Sequence, residues 1–94
     1  MEDNLETLRS KIDELDGEIL NLLVKRFEIV RLIAKCKAET GKEVFQPERA
    51  KEVTEKAKQK AEENGIKPRH FEEIYGTLLK ESCKYQNEMK KWKK

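Results

Sequence analysis

The sequence predicts an all-α fold: a protomer of three helices, the first very long, that shares its core with a partner. Three observations carry that prediction. Apolar residues recur at alternating three- and four-residue steps from Leu5 to Cys36, with no proline before Pro47. Charged residues make up 43% of the chain and apolar residues 36%, which suits long amphipathic helices better than a compact monomer. A length of 94 residues lies near the size at which a lone core is marginal.

The first helix is read from about residue 4 to about residue 39. Its stripe runs Leu5, Leu8, Ile12, Leu15, Ile19, Leu22, Ile29, Ile33 and Cys36, with charges on the other faces. Gly17 is a lone weak spot that such a helix tolerates. At ~1.5 Å per residue the helix is roughly 50 Å long, too long for a monomeric domain of this size. Thr40-Gly41-Lys42 is a stop signal, with glycine just past the helix end. Residues 43–46 form a short extended linker. Pro47 suits a first helical turn and Glu48 a helix N-terminus. The second helix, about residues 47–63, is poor in large apolar groups; Ala50, Val53, Ala57 and Ala61 mark a face that can only lean on something else. Asn64-Gly65 ends it. Pro68 opens the third helix, read to about residue 91, with the stripe Phe71, Ile74, Tyr75, Leu78, Leu79, Ser82 and Met89. Lys90 to Lys94 read as a frayed, solvated end rather than a nucleic-acid contact. No repeat, low-complexity linker or β pattern divides the chain, so residues 1–94 read as one domain.

Composition argues against several function classes. Lys plus Arg (21) nearly cancels Asp plus Glu (19), and a net charge of +2 gives no field strong enough to argue for nucleic acid. No apolar run approaches the ~20 residues needed to span a bilayer, and the N-terminus has no signal-peptide apolar core. The chain reads as cytoplasmic and, starting at Met1 and ending in lysines, as complete. Cys36 and Cys83 lack metal-ligand spacing, and the single His70 cannot complete a zinc site. Both cysteines read as reduced thiols packed on helices, and no metal is expected.

The informative residues are the polar ones that interrupt the apolar stripes. Arg26 takes the seam position between Leu22 and Ile29, where the heptad expects Leu or Ile. A guanidinium there is costly unless an anion meets it; its ordinary fate is to snorkel or to pair with a glutamate such as Glu28. Lys37 follows 11 residues on, close to three full turns, and shares nearly the same side. Ser82 and Gln86 are four apart and continue the stripe of the third helix, where an interhelical hydrogen bond would account for each. Singly, each has an ordinary structural explanation. Together they put two cations and an amide donor on faces that must meet. The set holds no acid–base pair, no Ser-His or Cys-His arrangement and no metal cluster. Cations and donors alone bind a small polyanion and stabilise negative charge developing on an oxygen. Arg9 lies 17 residues before Arg26, roughly 25 Å along the axis and on a different side. It can join Arg26 at one small ligand only from a second, antiparallel copy of the helix.

The stretch from Leu8 to Asp16 (LRSKIDELD), followed by Ile19 to Arg26 (ILNLLVKR), resembles the opening of the all-helical chorismate mutases, whose pattern is L-R-x-x-I-D-x-I/L-D and then I-L-x-L-L-x-x-R. The match continues without gaps through Ala34-Lys35-Cys36-Lys37, Pro47-Glu48-Arg49 and Glu81-Ser82 with Gln86. No single block is decisive; the ordered set, covering nearly the whole chain, is specific. The resemblance implies an intertwined homodimer of three-helix protomers with two equivalent sites. It also implies a reaction: the Claisen rearrangement of chorismate, a small dicarboxylate, to prephenate in phenylalanine and tyrosine synthesis, with no cofactor and no covalent intermediate. On this resemblance Arg9 of the partner subunit and Arg26 hold the two substrate carboxylates, Lys37 and Gln86 donate to the ether oxygen, and Arg49 and Ser82 complete the anion-binding shell.

Two positions depart from the family pattern. The usual linker reads D-P-E-R-E, whereas here it is Gln46-Pro47-Glu48-Arg49-Ala50. The family's glutamate at the position of Ala50 accepts a hydrogen bond from the substrate's ring hydroxyl. Alanine cannot, and a hydroxyl left unpaired would cost on the order of a few kcal/mol in transition-state binding unless water or Gln46 substitutes. This departure keeps two altered-substrate activities open. Isochorismate-pyruvate lyases resemble the chain in having a small or apolar residue at that position, and in Ala61-Glu62-Glu63-Asn64-Gly65. Mutases of 4-amino-4-deoxychorismate are the other. Ser82 and the length of the Lys37-to-Arg49 segment resemble the chorismate mutases, whose activity is the expected one. The alternative of another class is a non-catalytic helical dimerisation module, for which the heptads alone would suffice. Such a module would gain stability from Arg26→Leu, where the enzyme would lose activity.

Overall fold

A computed structural model describes the backbone of residues 4–92 and the side chains of residues 4–90. The first three residues of the N-terminus, the last two lysines of the tail and the side chains of Lys91 and Trp92 lie outside the described residues. Three helices follow in order, α1 (Leu5–Thr40), α2 (Pro47–Glu63) and α3 (Pro68–Trp92), and no strand is present among the described residues. α3 ends at Trp92, within a residue of the bound read from the sequence, and the last residues of the tail expected to fray lie outside the described residues.

Local chemistry sets each boundary. Asn4 caps α1, its Oδ1 accepting from the Thr7 amide at 2.8 Å. At the other end Gly41 takes φ 69°, and the Lys42 amide reaches back to the Lys37 carbonyl at 2.9 Å. α2 ends in the same way. Gly65 has φ 73°, the Ile66 amide donates to the Ala61 carbonyl at 2.9 Å, and the Gly65 amide donates to that of Glu62 at 3.2 Å. This is the Schellman geometry, whose left-handed position glycine fills without strain. Proline opens both α2 and α3 at the first helical residue, where its missing N–H is no loss.

α3 lies between α2 and the C-terminal half of α1, while α1 and α2 do not pack on each other. Ala57 and Ala61, 8% and 0% exposed, let α2 approach α3 closely. Phe27 of α1 meets Tyr85 of α3 edge to face, with ring centroids 5.1 Å apart. The protomer is thin, 57 × 26 × 14 Å, and among the described residues its buried apolar side chains are only Val30, Val44, Ala57 and Ala61.

The long apolar stripe of α1 is therefore not a core within the protomer. Every residue from Asn4 to Leu22 is exposed, and Leu5, Leu8, Ile12, Leu15, Ile19, Leu22, Ile29 and Ile33 are 42–63% exposed. α3 covers instead a neighbouring flank of α1 marked by Leu23, Arg26, Phe27, Val30, Ala34 and Lys37. One helix laid on another shields only one flank, so the stripe beside it stays open. Arg26 and Lys37 stand on the border between the two faces. Ile74, expected on the packed stripe of α3, is 59% exposed, because it too lies off the flanks that α1 and α2 cover. A contiguous apolar face of this length is the mark of an interaction surface. Among the described residues no helix is long and apolar enough to cross a membrane.

Candidate active site

The second half of α1, the 41–46 linker, the start of α2 and the second half of α3 enclose an open cleft of about 640 Å³. Its polar wall rests on four side chains. Arg26 Nη1 donates to Ser82 Oγ at 2.9 Å, and Ser82 Oγ donates in turn to the Leu78 carbonyl at 2.9 Å. Lys37 Nζ donates to the Val44 carbonyl at 2.6 Å and to Gln86 Oε1 at 3.0 Å. Ser82 and Gln86 are each 5% exposed, so these bonds are sheltered from competing water. The carboxylate partner that a seam arginine usually finds is missing. Glu28 is exposed and does not pair with Arg26, and among the described residues both Arg26 and Lys37 are met only by neutral groups.

Counting donors shows what remains for a ligand. An ammonium has three N–H groups, and protein acceptors use two of those on Lys37. An ammonium cannot accept, so the Gln86 oxygen must face it and the Gln86 NH2 is left for the cleft. The single proton of Ser82 goes to Leu78. The hydroxyl accepts from Arg26 and so holds the guanidinium against the cleft wall.

Gln46, Arg49 and Ala50 line the same cleft from the linker and the first turn of α2. Arg49 stands at the rim with Nη1 2.7 Å from Glu52 Oε1, the two side chains 66% and 57% exposed. The hydrogen bond from Arg49, and then its charge, hold the Glu52 carboxyl below the usual range. A pair this open to solvent exchanges partners readily. Gln46 Nε2 donates to the Glu43 carbonyl at 3.3 Å and braces the linker. Ala50 contributes a half-buried methyl to the wall. Arg9 is not part of this cleft; it is exposed on the open half of α1.

Three contributors were not singled out from the sequence. Lys80 and Lys84 also line the cleft, so that among the described residues Arg26, Lys37, Arg49, Lys80 and Lys84 surround it and no carboxylate does. Their four-residue spacing on either side of Ser82 was the available signal. The third, the Val44 carbonyl, is main chain and leaves no trace beyond an apolar residue in a short polar linker. Among the described residues no group of three His, Cys, Asp or Glu side chains could hold a metal ion. A concave, cation-lined site with preset donors concentrates and orients a small polyanion.

A sequence model of the chorismate mutase type II family matches residues 8–87, a span that includes Arg9 and every cleft residue named above. The T-protein of Haemophilus influenzae is 33% identical over 84 residues, 89% of this chain and 22% of its own length. The 4-amino-4-deoxychorismate mutase of Streptomyces venezuelae is 27% identical over 86 residues, 92% of this chain and 84% of its own. The chorismate mutase of Methanocaldococcus jannaschii is 26% identical over 88 residues, 94% of this chain and 89% of its own. The chain thus spans about a fifth of the T-protein but most of each of these two mutases. With the family's pattern matched from Leu8 to Asn87, along all three helices that build the cleft, the chain belongs to the chorismate mutase type II family.

Proposed function

We propose that this chain catalyses the Claisen rearrangement of chorismate to prephenate in the cytoplasm, as a homodimer whose two clefts are each completed by Arg9 of the partner subunit. The observation that carries this reading is the pair Arg26 and Lys37, half-buried on one cleft and met, among the described residues, by neutral partners only. Cations kept clear of carboxylates are kept for an anionic ligand. Arg26 and Arg9 of the partner subunit hold the two substrate carboxylates, with Arg49 at the rim, and fold the enolpyruvyl arm over the ring. The ether C–O bond breaks as the new C–C bond forms, and no proton moves. The third N–H of Lys37 and the NH2 of Gln86 meet the charge that grows on the ether oxygen. The open stripe of α1 supports the dimer, since a second copy supplies the cover that it lacks.

A second reading, mutase activity on 4-amino-4-deoxychorismate, is favoured by Ala50. Its methyl stands in the cleft wall and cannot accept from a ring hydroxyl, and the Streptomyces venezuelae mutase is among the relatives. The test offers the purified protein chorismate, isochorismate and 4-amino-4-deoxychorismate and identifies products by chromatography. Prephenate from chorismate, abolished by Arg26→Ala, is the expected result. Turnover of the amino analogue alone would favour the second reading, and salicylate with pyruvate from isochorismate would make the chain a lyase. Silence on all three would leave a helical dimerisation module.

A further inference from the structure

Lys37 is held at both ends. Its main-chain carbonyl accepts from the amides of Gly41 and Lys42, the latter at 2.9 Å. This is the turn that ends α1, and it folds the chain back along the helix instead of letting it run on. The fold-back returns Val44 to the side of α1, where its carbonyl stands 2.6 Å from Lys37 Nζ. Val44 is also the linker's anchor. It is 9% exposed, whereas Gly41, Lys42, Glu43 and Phe45 around it are exposed.

We propose that Val44 is a positioning residue for turnover. Its buried side chain and the left-handed turn at Gly41 fix a main-chain carbonyl that, together with Gln86 Oε1, aims the third N–H of Lys37 into the cleft. The identity of the reaction rests on the mutase reading above; the hold on Lys37 does not. A lysine ammonium rides on a flexible four-carbon stem. A single acceptor lets it swivel about one bond, whereas two acceptors set the direction of the remaining donor. A neutral carbonyl suits this task because it directs the ammonium without cancelling its charge, as a carboxylate would. A donor helps only where the oxyanion forms, and a misplacement of about 1 Å costs on the order of 10²-fold in rate.

The test measures kcat and KM for chorismate in the wild type, Val44→Ala, Val44→Ile and Gly41→Ala. It repeats Val44→Ala in a Lys37→Gln background and records the ¹⁵N signal of the Lys37 ammonium in each chain that keeps the lysine. Gly41→Ala guards against a folding defect at Val44, since a Cβ at Gly41 would meet nothing within 4 Å and only the turn is strained. Val44→Ala and Gly41→Ala should each lower kcat about tenfold or more with KM held within about twofold. Val44→Ile should restore most of the loss, and Val44→Ala should add nothing once Lys37 is gone. The ammonium signal, sheltered from exchange in the wild type, should broaden in Val44→Ala. An equal loss with and without Lys37, a loss carried by KM, or an unchanged ammonium signal would each overturn the proposal. If the wild type turns over none of the three substrates, the mutase reading falls and the ammonium signal still decides. Its broadening in Val44→Ala would support the hold on Lys37, and its persistence would refute it.

Discussion

Arg26 shows how a single residue can be set against the stability of its own fold. Its guanidinium is half-buried and, among the described residues, is answered only by the Ser82 hydroxyl, with no carboxylate beside its charge. Arg26→Leu should therefore raise the melting temperature by about 2–4 °C while lowering kcat/KM by about 10²–10³-fold; a thermal melt beside an activity assay reads both. A dimerisation module would show the first change without having an activity to lose. Arg49 presents the opposite case, a cation held at the cleft rim by an exposed partner, Glu52. Glu52→Gln removes the competitor and should lower KM by about twofold with kcat unchanged; a raised KM would mean that the pair holds Arg49 in its working position. The sequence marked Ser82 for an interhelical hydrogen bond without naming its partner, and it did not mark Glu52, one of several glutamates near Arg49.

Among the elements, the two glycine turns share a geometry but not a consequence. Gly41 and Gly65 both take left-handed φ, and both were legible as helix stops because a glycine after the last periodic residue is a local signal. Gly65 closes α2 away from the cleft, so Gly65→Ala should cost about 1 kcal/mol of unfolding free energy and leave kcat intact, as urea titration and an assay would show. The matching change at Gly41 strains the turn that holds Lys37 and should lower kcat. The apolar stripe of α1 was equally legible, as a repeat. Its use was not, since periodicity marks a face and says nothing of which neighbour covers it. The structure gives α3 the adjoining flank and leaves the stripe open.

At the scale of the molecule, the described residues form a thin body with a long open apolar face. A protomer 14 Å deep along its shortest axis, with a 36-residue first helix, buries little apolar surface of its own. If the proposed homodimer forms, the melting temperature should rise with protein concentration, as mass action requires. Ile19→Asp, in the middle of the open stripe, should abolish dimer formation in analytical ultracentrifugation. The sharper test is complementation. Arg9→Ala and Arg26→Ala chains, each inactive alone, should regain about a quarter of wild-type activity when refolded together, because hybrid dimers contain one intact cleft. Failure to regain activity would place Arg9 outside the site.

By itself the sequence determined the three helices, their stops and the polar residues that break the stripes. Helical period, proline and glycine act within a few residues and need no tertiary context. It also marked Arg26, Lys37, Ser82 and Gln86 as a set, since polar groups on an apolar face stand out wherever the chain goes. Tertiary structure alone decided what those groups do. It sets Ser82 against Arg26, turns the Gln86 oxygen to Lys37 and brings the Val44 carbonyl beside the same ammonium. One of these acceptors is a main-chain carbonyl, which every residue possesses, while Ser82 lies 56 positions from Arg26 and Gln86 49 from Lys37 along the chain. Side-chain identity cannot foretell such contacts; only the path of the folded backbone does.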